Sequence, residues 1–322
     1  MKKVVTLGGG TGNFTVLRGL KKYNLDLTAI VSMADDGGST GILRDELGVL
    51  PPGDVRQCLI ALSDSSRLMR NLMNYRFDTG CLQGHSFGNL LLSALEKVTG
   101  SFEKAVEETG KILAIKGKVI PVTVNQVKLK MILDNGKILS GEREIYESKE
   151  VEKGFRSIFL DPISQVNPHA IDEIMNADLI VLGPGGVYSS LIPVLLVDGI
   201  CKALRETKAK KVLIINLVNK NGQNTNFKVS DYIKEFRRFI GTDIFNHILI
   251  NNAQPAKELV DTYSKEGGLV ENDVIDDSRI IATSLISSEL KEVQPGDLIQ
   301  RNLIRHDPKR IANVIMEILN ES

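Results

Sequence analysis

The chain has 322 residues, enough to bury a large core as one α/β domain or two smaller ones. Its 40 Lys and Arg balance 40 Asp and Glu, which leaves no electrostatic case for nucleic acid or another polyanion. The three cysteines, Cys58, Cys81 and Cys201, have no C-x-x-C spacing, which argues for a reducing compartment and against a zinc cluster. No signal peptide precedes the first strand and no apolar run reaches membrane-spanning length, so the expectation is a cytoplasmic protein without membrane insertion.

The chain opens with Val4-Val5-Thr6-Leu7, a β-branched apolar run, and breaks into Gly8-Gly9-Gly10-Thr11-Gly12. From Asn13 the apolar positions Phe14, Leu17 and Leu20 recur at helical spacing. Strand, glycine turn and helix form a phosphate-binding unit: glycines admit a ligand to the backbone, and the N–H groups and dipole of the helix favour an anion. The dinucleotide pattern G-x-G-x-x-G is incomplete, because its last position is Asn13. A second strand, Leu27–Ser32, leads into Asp35-Asp36-Gly37-Gly38-Ser39-Thr40-Gly41, two acids in a glycine-rich loop that a ligand suits better than a turn cap. Asp54 and Gln57, after Pro51-Pro52-Gly53, have capping-box spacing.

Helices are expected near 65–74, 86–98 and 102–115. Gly84-His85-Ser86-Phe87-Gly88 satisfies G-x-S-x-G, but the residues before it read as a loop, where a nucleophile elbow needs a strand. Ser86 is therefore expected to cap a helix, with His85 and Asn89 offered to a ligand. Residues 118–160 form a β-rich excursion, with strands at 119–124, 127–133 and 137–141 around the Asp134-Asn135-Gly136 turn. Residues 156–160 would return the chain to the core, and the excursion's lysines and glutamates read as a solvated face.

The α/β alternation resumes with a helix at 169–176. A buried strand at 178–182 ends in Gly183-Pro184-Gly185-Gly186-Val187-Tyr188-Ser189-Ser190, before a long helix. Strands at 211–217 and 247–251 flank a helix at 230–240. A helix at 256–265 follows, and 298–301 is a last strand or a loop. His306 reads equally as a ligand contact or a helix-start histidine, and Asp307-Pro308 has the N-cap and N1 signature of the final helix. The fold class is α/β: a mostly parallel, Rossmann-like sheet with helices on both faces, in a single domain over 1–322. Its strand-end glycine loops would converge on one nucleotide-like ligand.

Taken together, Leu7–Gly12, Ala34–Gly41, Pro51–Arg56, Gly84–Asn89, the Gly183–Pro193 loop and Arg305-His306-Asp307-Pro308 resemble, in the same order, the bacterial gluconeogenesis factor (YvcK-like) family. That family lies in the superfamily of 2-phospho-L-lactate transferase. The resemblance implies a Rossmann-like fold and a UDP-sugar ligand, typically UDP-N-acetylglucosamine. It also implies a role in carbon-source-dependent growth, cell shape and cell-wall precursor supply, with no established catalytic activity. Carried onto this sequence, Gly9, Gly10, Thr11, Gly12 and Asn13 would approach the phosphates. Asp35, Asp36, Ser39, His85, Ser86, Asn89, Gly185, Ser189 and Ser190 would line the crevice, and Tyr263 and Arg305 would meet the nucleotide-sugar.

In the transferase branch the acid near metal and acceptor corresponds to Asp54. Mg²⁺ is the one cofactor in view, with Asp35, Asp36 and Asp54 as its candidates. A partner in cell-wall synthesis and a homo-oligomeric state stay open. Two loops depart from the family pattern. Its Gly-Pro-Gly-Ser-Leu-Tyr-Thr-Ser has Gly186 in place of a serine here, and its Met-Thr-Gln-x-Gly-Glu-Thr reads Val218-Asn219-Lys220-Asn221-Gly222-Gln223-Asn224. The two function classes weighed are a regulatory binding protein and a Mg²⁺-dependent transferase.

Overall fold

The apolar runs that read as fully buried strands do form the middle of a parallel sheet, because helices on either side leave them no solvated face. The computed structural model describes residues 1–255, 257, 260, 261, 267–287 and 304–321. The chain begins with β1 (Lys2–Gly8), α1 (Gly10–Leu20), β2 (Leu25–Val31), α2 (Gly38–Leu47), α3 (Gly53–Leu62), α4 (Arg67–Asn74), α5 (Phe87–Thr99) and α6 (Phe102–Ile112). It continues through β3 (Lys118–Pro121), β4 (Lys128–Leu133), β5 (Ile138–Ser140), α7 (Glu142–Glu147), β6 (Phe155–Asp161), α8 (Pro168–Met175) and β7 (Leu179–Leu182). The last described elements are α9 (Ile192–Leu195), α10 (Ile200–Glu206), β8 (Lys210–Ile214), α11 (Val229–Ile240), β9 (His247–Asn251), β10 (Ile280–Thr283) and α12 (Pro308–Asn320).

Seven strands pair in the order β10-β9-β8-β7-β1-β2-β3, every neighbouring pair parallel. The order reverses between β1 and β7, which makes that pair the topological switch point. Register levels the strand ends there: Gly8 stands opposite Val31, and Leu7 opposite Leu182. The loops after β1, β2, β7 and β8 consequently leave from one edge. On one side α1 packs against α3 and α12; on the other, α10 meets α8, α9 and α11.

The β-rich excursion is smaller than the alternation suggested. Lys118–Pro121 is the edge strand of the main sheet, paired parallel with β2. The segment expected to return to the core, around Phe155–Asp161, instead pairs antiparallel with β4, giving a separate three-stranded sheet β5-β4-β6. Period-two patterning identifies a strand but not its partner, which is why the pairing of these strands had to come from the fold. The long helix expected after Ser190 is broken as well. A π-helical turn at Val187–Leu191 precedes α9, whose Pro193 lacks an N–H, and Gly199 sits at φ +103° before α10. Helix α2 went unread because Gly37 to Gly41 looked like loop throughout. The expected 256–265 helix and the 298–301 segment fall largely or wholly outside the described residues, as does Tyr263.

Candidate functional site

At the switch point the first glycine turn is pressed between two loops. A β-carbon at Gly9 would lie 2.7 Å from Ser190 Oγ and 2.8 Å from Asp54 Oδ2, and one at Gly10 would lie 2.6 Å from Asp54 Oδ1. A β-carbon at Gly12 would overlap the carbonyl oxygen of Pro184. The triplet is thus explained by close approach as well as by turn geometry. Helix α1 begins at Gly10 with no side-chain cap, so its first N–H groups have no intrahelical partner. Thr11 is exposed there, whereas Asn13 is buried beneath the turn beside Gly8 and Cys58.

Asp54 does not form the expected capping box. It lies inside the first turn of α3, whose N-cap is Pro52, and its carboxylate accepts the Gly10 N–H. Burial, reinforced by the charge of Asp35, pushes the Asp54 carboxyl up to about 7, against the pull of the Gly10 N–H and Arg56. Asp35 is also raised, first by burial; Gly37 N–H donates to its Oδ1 at 3.0 Å, and Thr40 bonds the carboxylate. Asp36 turns elsewhere. Its Oδ1 accepts the Arg143 N–H at 2.8 Å, and Arg44 lies 3.9 Å from Oδ2. The acid facing Asp54 is therefore Asp35.

Four predicted residues meet in one buried network. Ser39 Oγ lies 3.1 Å from His85 Nδ1 and accepts from Asn89 Nδ2 at 3.2 Å, while Asn89 Oδ1 accepts Arg56 Nε–H at 2.8 Å. Ser86 is the expected N-cap of α5, accepting the Asn89 N–H at 3.3 Å. No strand precedes it, and His85 bonds Ser39 rather than Ser86, so the nucleophile elbow is absent. The network ties α2, α3 and α5 together and fixes the wall of the crevice.

On the opposite wall Gly185 is clamped by Asn216, which accepts its N–H at 2.9 Å and donates to its carbonyl at 2.8 Å. This fixes the loop that carries Ser189 and Ser190. His306 bonds the Ile215 carbonyl at 3.2 Å, and burial lowers its pKa to about 4. It is thereby a neutral donor holding the chain before α12 to the end of β8. Arg305 precedes it, near the β8 end of the crevice.

Besides Arg56 and Thr40, the residues missed by the sequence are Asn216 and Glu142. Asn216 could have been found by the strand-end rule applied to β8. Glu142 had no local signal: it comes from the excursion whose charges read as solvated. It is nonetheless half-buried, accepts a hydrogen bond from Ser189, and is pushed up to about 9 by burial and then by Asp35, Asp54 and Asp36.

Residues 4–290 match the sequence profile of the 2-phospho-L-lactate transferase CofD family. The gluconeogenesis factor of Bacillus subtilis is 37% identical over 322 residues, covering 99% of this chain and 98% of that protein. The chain belongs to the gluconeogenesis factor family. The gluconeogenesis factor of Halalkalibacterium halodurans, another member, is 37% identical over 319 residues, covering 98% of this chain and 96% of that protein. The crystal structure of a UPF0052-family protein from Bacillus halodurans superposes with a TM-score of 0.86 at 34% identity, covering 98% of each chain. The Rossmann-like fold of this gluconeogenesis factor family member accordingly extends over nearly its whole length.

Proposed function

We propose that the protein binds a nucleotide-sugar of the UDP-N-acetylglucosamine type at the β1/β7 switch point, in the cytoplasm, as a regulator. Its bound state would report cell-wall precursor supply to a protein partner and so link carbon source to growth and cell shape. The observation that carries this reading is the glycine turn at the switch point, where α1 starts with no side-chain cap from Gly9, Thr11 is exposed and Ser190 stands beside Gly9. A diphosphate beside Thr11 would meet first-turn N–H groups other than that of Gly10, which Asp54 takes, and the positive end of the helix dipole. Calorimetric titration with UDP-N-acetylglucosamine, UDP-glucose and GDP, with and without Mg²⁺, tests it. Saturable binding of a UDP-sugar recovered unchanged is the expected result; preference for GDP or consumption of the donor would overturn it.

The acids beside the turn favour a second reading, a Mg²⁺-dependent transferase of the 2-phospho-L-lactate transferase type. Two desolvated carboxylates next to a phosphate site repel the ligand unless a cation or a proton neutralises them. Among the described residues no three Asp, Glu, His or Cys side chains are grouped to hold a metal. Mg²⁺ does not require three, since it is commonly held by one or two carboxylates together with ligand phosphates and water. Asp35 and Asp54 fit that role. The ion would supply charge neutralisation on the phosphates, and Asp54 would be the acid nearest the transferred group.

A further inference from the structure

Three strand-end loops hold α7 across the crevice, and the first residue of that helix enters the site. After β2, Asp36 accepts the Arg143 N–H at 2.8 Å. After β7, the Ser189 hydroxyl bonds Glu142. After β8, Gln223 Nε2 donates to the Ile145 carbonyl, and Gly222 N–H donates to Glu152 Oε2 at 3.2 Å. The loop that departs from the family pattern at Asn219–Asn224 is thus the loop that grips the inserted segment. Its own polar groups are closed on one another: Asn224 Nδ2 donates to Tyr232 Oη at 2.7 Å, and Tyr232 Oη donates to Asn219 Oδ1 at 3.0 Å. These anchors fix the segment that follows Glu142, and its carboxyl group bonds the Ser189 hydroxyl.

A ligand whose diphosphate sits beside Thr11 at the first glycine turn has one end toward β8 and the other toward β2. Toward β8 it meets the end of that strand, where Asn216 clamps Gly185 and His306 bonds the Ile215 carbonyl. Toward β2 it meets Asp35, Thr40, Ser189 and Glu142, carboxyl and hydroxyl groups suited to the hydroxyls of a sugar. We propose that Glu142, delivered by the inserted segment, hydrogen-bonds the sugar of the nucleotide-sugar and sets which sugar is accepted.

This rests on the nucleotide-sugar reading above and adds the direction in which the ligand lies. It also assigns a purpose to the insertion: the small sheet is the scaffold that holds α7 over the sugar end. Burial and the neighbouring acids favour the neutral carboxyl of Glu142, a form with one donor and one acceptor that does not repel the diphosphate. A site built around such a pairing rejects ligands that lack the matching group more strongly than an apolar pocket would.

The test is titration of the full chain with UDP and with UDP-N-acetylglucosamine, for wild type, Glu142→Ala and Glu142→Gln, with melting temperatures of all three. Wild type binds both ligands. Glu142→Ala is expected to lose roughly tenfold or more in affinity for UDP-N-acetylglucosamine and less than about twofold for UDP. Glu142→Gln, which keeps the shape and hydrogen-bonding capacity of the neutral acid, is expected to retain most of the sugar affinity. Equal losses for the two ligands, or none, in a folded variant would overturn the role of Glu142 while leaving nucleotide binding intact. Failure of wild type to bind either ligand would overturn the nucleotide-sugar reading and this assignment with it. Should Glu142→Ala not fold, Glu142→Leu, which keeps the bulk without the polar atoms, decides: a loss confined to UDP-N-acetylglucosamine supports the assignment, and equal losses for both ligands, or none, remove it.

Discussion

Asp54 carries the sharpest conflict between stability and binding in the molecule. Its carboxyl is held at about 7, well above the ordinary 3.8, because burial and Asp35 both penalise the charged form. A carboxyl raised in the folded state binds a proton that the unfolded chain has already released. Wild-type stability therefore falls as pH rises from about 4 to 7, by about 1.4 kcal/mol for each step of one in pH. Asp54→Asn removes that cost while keeping an oxygen for the Gly10 N–H. Urea unfolding should find the variant more stable than wild type by a few kcal/mol at pH 8, with the gap closing toward pH 4. The same variant should bind nucleotide-sugar more weakly in Mg²⁺, as expected when a site is kept at the expense of fold stability. A variant that is less stable than wild type at pH 8 would contradict this account.

Among the elements, the informative unit is α7 with its three anchors. Six residues make a poor isolated helix, so tertiary contacts must hold this one in place. Asp36 supplies one of them by accepting an N–H of the first turn, the group that a helix leaves unsatisfied. Asp36→Ala should cost on the order of 1 kcal/mol locally, read as a several-fold faster amide exchange over residues 142–147. The protons of β1 and β7 should keep their protection, since their ladder does not depend on the insertion. Uniform loss of protection in both places would show that the insertion and the main sheet open as one unit.

Across the whole molecule, His306 joins parts of the chain that are 91 residues apart, tying the start of α12 to the carbonyl of Ile215. Its pKa is lowered to about 4 by burial, so the unfolded chain takes up a proton first as the solution is acidified. Its contribution is complete above about 6.5 and is lost as pH falls toward 4, by up to about 3 kcal/mol. The raised carboxyls of Asp54 and Glu142 act in the opposite direction over part of that range, which makes a difference measurement necessary. His306→Asn, compared with wild type at pH 7 and pH 4.5, should shed most of this acid sensitivity. An identical pH dependence in both proteins would mean that His306 does not stay neutral in the fold.

Local elements were legible in the order of the amino acids. Val4–Leu7 and Leu179–Leu182 read as buried strands because a parallel strand covered on both faces must be apolar at every position. Ser86 and Asp307 read as N-caps because capping is decided within three residues.

Which distant groups meet was settled only by packing. Asp35 rather than Asp36 faces Asp54 because adjacent loop residues point different ways and only the packed turn selects one. Residues 155–161 join the small sheet rather than the core because strand partners are chosen by the surrounding structure, not by pattern. Glu142, read as a solvated charge, enters the crevice because Asp36, Ser189 and Gln223 come from separate strand ends and hold its helix there. Burial and charge act through space, and a carboxyl group's neighbours are not written beside it in the chain.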